Sequence, residues 1–245
     1  MNIAVITCDV LTEEIRHFAQ SLPQVKAIHA LEQGLHNTPD VLRAKVQETI
    51  NTVEANPEID AIVLGYGLCS RGVEGCGPKR CRMVIARAHD CITLLLGSKE
   101  RYSEYVAKHP GTYWYSVGWN RAHLIPGPER VEHYRREYVE KYGEENADYL
   151  MEMEQQWLRD YTRATFIDFG GIGDEEAEAR RTKECADWLG WEFDRQQGDT
   201  QLLIDLLAGM WDDERFLVAQ PGEVIRYTMT ERVMDAAPCE RCQGR

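Results

Sequence analysis

Residues 1–31, MNIAVITCDVLTEEIRHFAQSLPQVKAIHAL, decide how the rest of the chain is read. NIAVIT (2–7) is an apolar run of strand length. LTEEIRHFAQSL (11–22) has helical spacing, with Ile15, Phe18 and Leu22 on one face, and VKAIHAL (25–31) is a second strand. Two strands joined by a helix pair in parallel, because parallel neighbours need a crossover of about a dozen residues or more. The first element of the fold is therefore a βαβ unit.

The alternation continues along the chain. TPDVLRAKVQETINTVEA (38–55) reads as a helix with Thr38 as N-cap and Pro39 at the first position. AIVLGYGL (61–68) and RMVIARA (82–88) are strands, DCITLLLGSKERYSEYVAKH (90–109) is a helix and GTYWYS (111–116) is a strand. Residues 128–163 are charged, aromatic and helical, forming one or two long helices. Then follow a strand ending in glycines (ATFIDFGG, 164–171), a helix (174–190) and a strand (191–196). A helix with Asp199 as N-cap and a closing strand, RFLVAQPGEVI (215–225), complete the pattern. The order predicts an α/β protein of two βαβαβ Rossmann-like lobes with parallel sheets, joined by a helical segment. The expected boundaries are 1–120, 121–163 and 164–228, followed by a polar tail, 229–245, with a poorly ordered end.

Apolar residues make up 43% and charged residues 28%, as in an ordinary globular protein, and the net charge is −13. Such acidity offers no phosphate-neutralising stripe, so no nucleic-acid partner is expected. Lys79, Arg80, Arg82 and Arg87 form a local basic cluster, read either as a patch for an anionic ligand or as a solvated loop. No apolar run approaches the roughly 20 residues that cross a bilayer, so no membrane partner is expected. The first residues enter a strand without the basic and apolar regions of a signal peptide, so a cytoplasmic location is expected. There the eight cysteines point to metal or redox chemistry rather than disulfides.

In doubly wound sheets, ligands sit beyond the carboxyl ends of the strands. Cys8 follows the first strand, His36 lies past the second in LEQGLHNTPD (31–40), and Cys69 follows the third. His89, Asp90 and Cys91 follow the fourth. Taken singly, Cys8 and Cys91 read equally well as small buried residues and His36 as a solvent-facing one. Their convergence selects Cys8, His36, Cys69 and Cys91 as metal ligands, a donor set suited to zinc or to the irons of an iron–sulfur cluster. Gly65 and Gly67 let the backbone turn closely near Cys69. Cys91 opens a helix, whose positive end favours the thiolate. His89 and Asp90 then form a catalytic pair that orients a ligand or accepts a proton. Tyr113, Trp114 and Trp119, with Tyr115, read as core or as a cofactor pocket using cation–π contacts.

Other signals are weaker. Cys76 and Cys81 stand in a Gly/Pro loop of exposed character and are expected to lie outside the site. CERC (239–242) is an isolated CxxC, unless it meets Cys76 and Cys81 in a four-cysteine knuckle. DFGGIGD (168–174) is similar to a phosphate-binding turn but lacks the full glycine pattern and the lysine of a P-loop.

LGYGLC (64–69), RAHDCITLLLGSKERY (87–102), HPGTYWYSVGW (109–119) and EKYGEENADYLMEMEQQW (140–157) carry a resemblance to the domain of unknown function 1638 family, running from about residue 2 to residue 220. That resemblance implies a protein of a family common in methanogens and anaerobic bacteria, encoded near corrinoid methyltransferases. It matches the family's recurring cysteines to Cys8, Cys69 and Cys91 and its histidine to His36. The resulting expectation is a metalloprotein of anaerobic one-carbon metabolism that acts on a small-molecule substrate. It would hold zinc for methyl transfer. The alternatives are a [4Fe–4S] desulfidase or lyase, and a non-enzymatic accessory protein that delivers to a corrinoid protein or methyltransferase.

Overall fold

A computed structural model describes residues 1–239. In chain order the elements are β1 (Ile3–Cys8), α1 (Thr12–Ala19), β2 (Val25–Leu31), α2 (Pro39–Glu54), β3 (Ala61–Gly65) and β4 (Arg82–Ala86). They continue with α3 (Cys91–Leu96), α4 (Lys99–Lys108), β5 (Thr112–Tyr115), α5 (Val117–Ala122), α6 (Pro128–Tyr142) and α7 (Glu144–Gln155). Last come β6 (Arg163–Asp168), α8 (Glu175–Leu189), β7 (Glu192–Gln197), α9 (Gln201–Ala208), β8 (Phe216–Ala219), β9 (Glu223–Tyr227) and β10 (Met234–Pro238). The chain is a mixed α/β protein with two parallel sheets, as the strand–helix alternation predicts.

Two compact units are present. One comprises Met1–Tyr102 with the chain from Asp199 onward, and the other Ser103–Gly198. The first unit holds a five-stranded sheet in the order β2-β1-β3-β4-β8. Its first four strands run parallel, with β1 pairing to β2 and β3. Every residue of β1 is buried, which explains its unbroken apolar run. The second unit holds a parallel sheet in the order β5-β6-β7.

The division of the chain differs from the expected boundaries. β5, read as the last strand of the first lobe, pairs with β6. Tyr113 on this strand stacks among Trp119, Trp157, Tyr161 and Trp191, so its aromatic packing belongs to the second unit. β8, read as closing the second lobe, lies antiparallel to β4 in the first sheet.

Local breaks follow residue chemistry. The expected strand 215–225 is divided by Pro221 and Gly222, the latter at φ +87°, into β8 and β9. The expected polar tail contains β10, which pairs antiparallel with β9. Residues 240–245, including Cys242 of the CERC motif, lie outside the described residues. The expected helix 90–109 is two helices, because Gly97 turns left-handed at φ +83° against Asp199. Thr38 stands at the N-cap of α2 without a side-chain bond to it. Asp199 bonds the amide of Gln201 at 2.8 Å, while Thr200 holds the cap position. No helix among the described residues is long and apolar enough to cross a membrane.

Candidate functional site

The carboxyl ends of β1, β3 and β4 are drawn together by two glycines. A Cβ on Gly65 would lie 2.5 Å from the Thr7 hydroxyl oxygen, so only glycine lets β3 close on the end of β1. A Cβ on Gly67 would lie 2.5 Å from the Asp90 backbone, so the turn after β3 presses on the turn after β4. Two amides fasten these turns, Leu68 N–H donating to Ala88 O at 2.8 Å and Cys69 N–H to His89 O at 2.9 Å. Cys69, Ser70 and Arg71 then run left-handed, at φ +47°, +54° and +65°. For residues with a Cβ this conformation costs roughly 1–2 kcal/mol each, strain of the kind that collects at functional sites. It turns the chain sharply just where Cys69 meets the strand ends.

Three predicted ligands share one electrostatic environment here. Burial pushes the Cys8 thiol, 8% exposed, up to about 11. Burial, then the charges of Cys8 and Asp90, push half-buried Cys69 up to about 12. Cys91 is raised well above its ordinary value by burial and then by Cys69, Cys8 and Asp90. Cys91 does open a helix, but α3 has only six residues. Burial and like charge raise the thiol, contrary to the expected depression. The thiols therefore hold their protons unless a cation compensates the charge. Among the described residues, no three His, Cys, Asp or Glu side chains already stand at metal-holding positions. The donor set suits a soft ion in kind, and an ion would have to draw the sulfurs inward.

The other predicted residues have surroundings of their own. His36 is half-buried in a short 3-10 turn, and burial lowers its pKa. The His89 side chain is exposed, and its backbone carbonyl serves the site by receiving Cys69. Asp90 caps α3, accepting from Ile92 N at 3.0 Å, and burial raises its pKa against its hydrogen bonds. Tyr113 and Trp119 belong to the aromatic cluster of the second unit, and Trp114 stacks on Tyr105.

Cys76 and Cys81 are buried, 0% and 5% exposed, contrary to the expected exposed loop. Gly75 and Cys76 bond the backbone of Ile225, so β9 covers the segment. Two members of the basic cluster are structural as well. Arg80 bonds the carbonyls of Glu54, Asn56 and Ile59, and buried Arg87 pairs with Asp213 and Asp235. In DFGGIGD, Glu175 accepts from Phe169 N at 2.7 Å and Gly171 N at 2.5 Å, so those amides do not face a phosphate.

Sequence reasoning passed over Tyr66. It is 2% exposed, its hydroxyl has no partner among the described residues, and the charges of Cys8, Cys69 and Cys91 all reach its phenol. The available signal was the pattern Gly-Tyr-Gly directly before Leu68 and Cys69.

The fold and this edge define a parallel α/β protein with three thiols gathered beyond its strand ends. The chain belongs to the family described as Protein of unknown function (DUF1638), whose model matches residues 30–207. Cys69 and Cys91 fall inside that match and Cys8 precedes it. No curated protein and no solved structure matches the chain.

Proposed function

We propose that Cys8, Cys69 and Cys91 together hold one soft metal centre, with zinc as the first choice, and leave a position open to a small-molecule substrate. The observation that carries this reading is that the three thiols follow three adjacent strand ends closely enough for Cys8 to raise Cys69, and for both to raise Cys91. Such a trio is unfavourable as free thiolates and favourable around a cation, which neutralises the charge each sulfur feels. Three protein ligands and an open position are the arrangement of a catalytic rather than a structural zinc site. Zinc so held would favour the deprotonated form of a thiol bound there, ready to accept a methyl group. Asp90, whose carboxyl is raised by burial, stands beside the thiols as the proton acceptor.

The family resemblance turns this chemistry toward anaerobic one-carbon metabolism in the cytoplasm, beside a corrinoid protein or methyltransferase. A [4Fe–4S] cluster is the second reading, favoured by the same count of three cysteines, which leaves one iron free for substrate. Metal analysis and an optical spectrum of anaerobically purified protein separate the two. A colourless protein with stoichiometric zinc supports the first, and a brown one with broad visible absorption supports the second. Cys69→Ser should lose most of the metal, while Cys76→Ser and Cys81→Ser should keep it. Retention by the Cys69 variant with loss from the other two would overturn the site. Methyl transfer that appears only when a corrinoid partner is added would assign the accessory role.

A further inference from the structure

We propose that the cavity at the carboxyl end of β4 binds a small zwitterion, an α-amino acid by class. Its carboxylate would sit on the N-terminus of α4 and its ammonium on Glu214 and Glu231. The inference uses no metal and none of the three strand-end thiols, so it is independent of the reading above.

The cavity has a volume of about 440 Å³, in the range of small-molecule pockets, and all its lining residues belong to the first unit. Ala86, the last residue of β4, lies in its wall, on the side of a parallel sheet where ligands collect. Its cations are not equally available. Arg87 and Arg232 share Asp213 and Asp235, and Arg215 pairs with Asp205 and Asp212. Those aspartates neutralise the arginines. Lys99 has only a loose pair with Glu100, at 3.9 Å. Glu214 and Glu231 also line the cavity, are exposed, and enter no ion pair among the described residues.

Two poles remain. One is the first turn of α4, where the amides of Lys99 and Glu100 have no intrahelical acceptor, while Ser98 Oγ already accepts from Arg101 N at 3.0 Å. Thr93 lines the same cavity, is 3% exposed, and has a hydroxyl without a partner among the described residues. A helical threonine can bond the carbonyl four residues back, as Thr49, Thr52 and Thr182 do here at 2.8, 3.0 and 2.9 Å. For Thr93 that carbonyl belongs to His89, and it receives Cys69 N instead. A buried hydroxyl is seldom left idle, and a helix N-terminus beside one suits a carboxylate. The second pole, Glu214 and Glu231, suits an ammonium. Lys99 Nζ donates to the Glu231 carbonyl, so the poles adjoin, as the two charges of an α-amino acid do. A simple anion would meet the glutamates, and a simple amine would meet Lys99 and the helix end. A ligand with both charges satisfies both poles.

The probes are the standard L-amino acids, screened singly by thermal shift and equilibrium dialysis on the full chain without added metal. The deaminated acid and decarboxylated amine of the tightest binder follow, with inorganic phosphate. At least one amino acid should bind and raise the melting temperature, and its acid and its amine should each bind about 10-fold more weakly or worse, since each loses one pole. Thr93→Val should weaken binding about 10–100-fold, the usual effect of losing a hydrogen bond to a charged group. Without ligand it should melt no lower than wild type, because the substitution removes only an unbonded hydroxyl. Glu214→Gln with Glu231→Gln should weaken binding about 3-fold, the order expected for exposed charges. Failure of every amino acid to bind would overturn the inference. The acid or phosphate binding as tightly as the amino acid would also overturn it, by making the cavity a plain anion site, and the amine doing so would make it a plain cation site. Unchanged binding in both the Thr93 and the glutamate variants would place the ligand elsewhere. A ligand-free Thr93→Val that melts well below wild type would overturn it too, by showing the hydroxyl already bonded.

Discussion

Both sheets end their strands in glycine-containing turns, yet the two edges treat their polar groups differently. After β6, the segment DFGGIGD is closed on itself. Glu175 takes two of its amides, Asp168 accepts from Gly170 N at 2.8 Å and pairs with Arg195, and Asp174 caps α8. After β3, the glycines pull three strand ends together and leave an unbonded phenol among thiols that repel each other's charge. Glycine content alone does not distinguish the edges. What separates them is whether the donors and acceptors brought together are already paired, and an unpaired set is the one with capacity for a ligand.

The largest test of that difference uses the glycines. Gly67→Ala puts a Cβ against backbone that cannot swing aside, which should cost about 3 kcal/mol of stability, the upper range for overpacking. Gly170→Ala meets nothing within 4 Å and bears only the strain of φ +76°, about 1 kcal/mol. Urea unfolding measures both. Equal losses would mean that the β3 turn is no more tightly held than the β6 turn.

A middle-sized effect sharpens the other side. Glu175→Ala should cost about 2 kcal/mol, because the amides of Phe169 and Gly171 lose their acceptor. A neutral outcome would reopen the β6 turn as an anion site.

These edges were legible to different degrees. Cys8, Cys69 and Cys91 could be placed because each sits within a few residues of a strand end, and strand ends follow from local apolar runs. The assignment of β5 and β8 could not be read that way. TYWY and FLVA are strands by composition, but their sheet is chosen by partners far along the chain, Arg163–Phe166 for one and Met83–Ala86 for the other. Cys76 was misread for this reason too. Gly75, Gly77 and Pro78 correctly mark a turn, but the chain that buries it, around Ile225, comes from the far end of the sequence.

The last prediction returns to Cys76 and to two kinds of buried group whose stabilisation changes with pH in opposite directions. In the second unit, burial acts to raise Asp168 and Asp194. The Gly170 amide and Arg195 bonds to Asp168, and the Tyr105 and Gln196 bonds to Asp194, outweigh it and hold both low. A lowered carboxylate contributes stability that is present above its unfolded pKa and lost as pH falls through the folded one, so the contribution of these two is lost in acid. Cys76 has the reverse sign. Burial, slightly opposed by Arg43, pushes it from 9.0 up to about 12. The unfolded chain releases this proton above pH 9.0 while the folded chain retains it until about 12, so stability is full below 9.0 and declines across that window. One such group gives a slope of about 1.4 kcal/mol per pH unit. Cys76→Ala should therefore flatten the alkaline fall of the urea midpoint by one proton's worth and leave the acid limb unchanged. An alkaline limb identical to wild type would show that the thiol reaches water, and that β9 does not seal the turn.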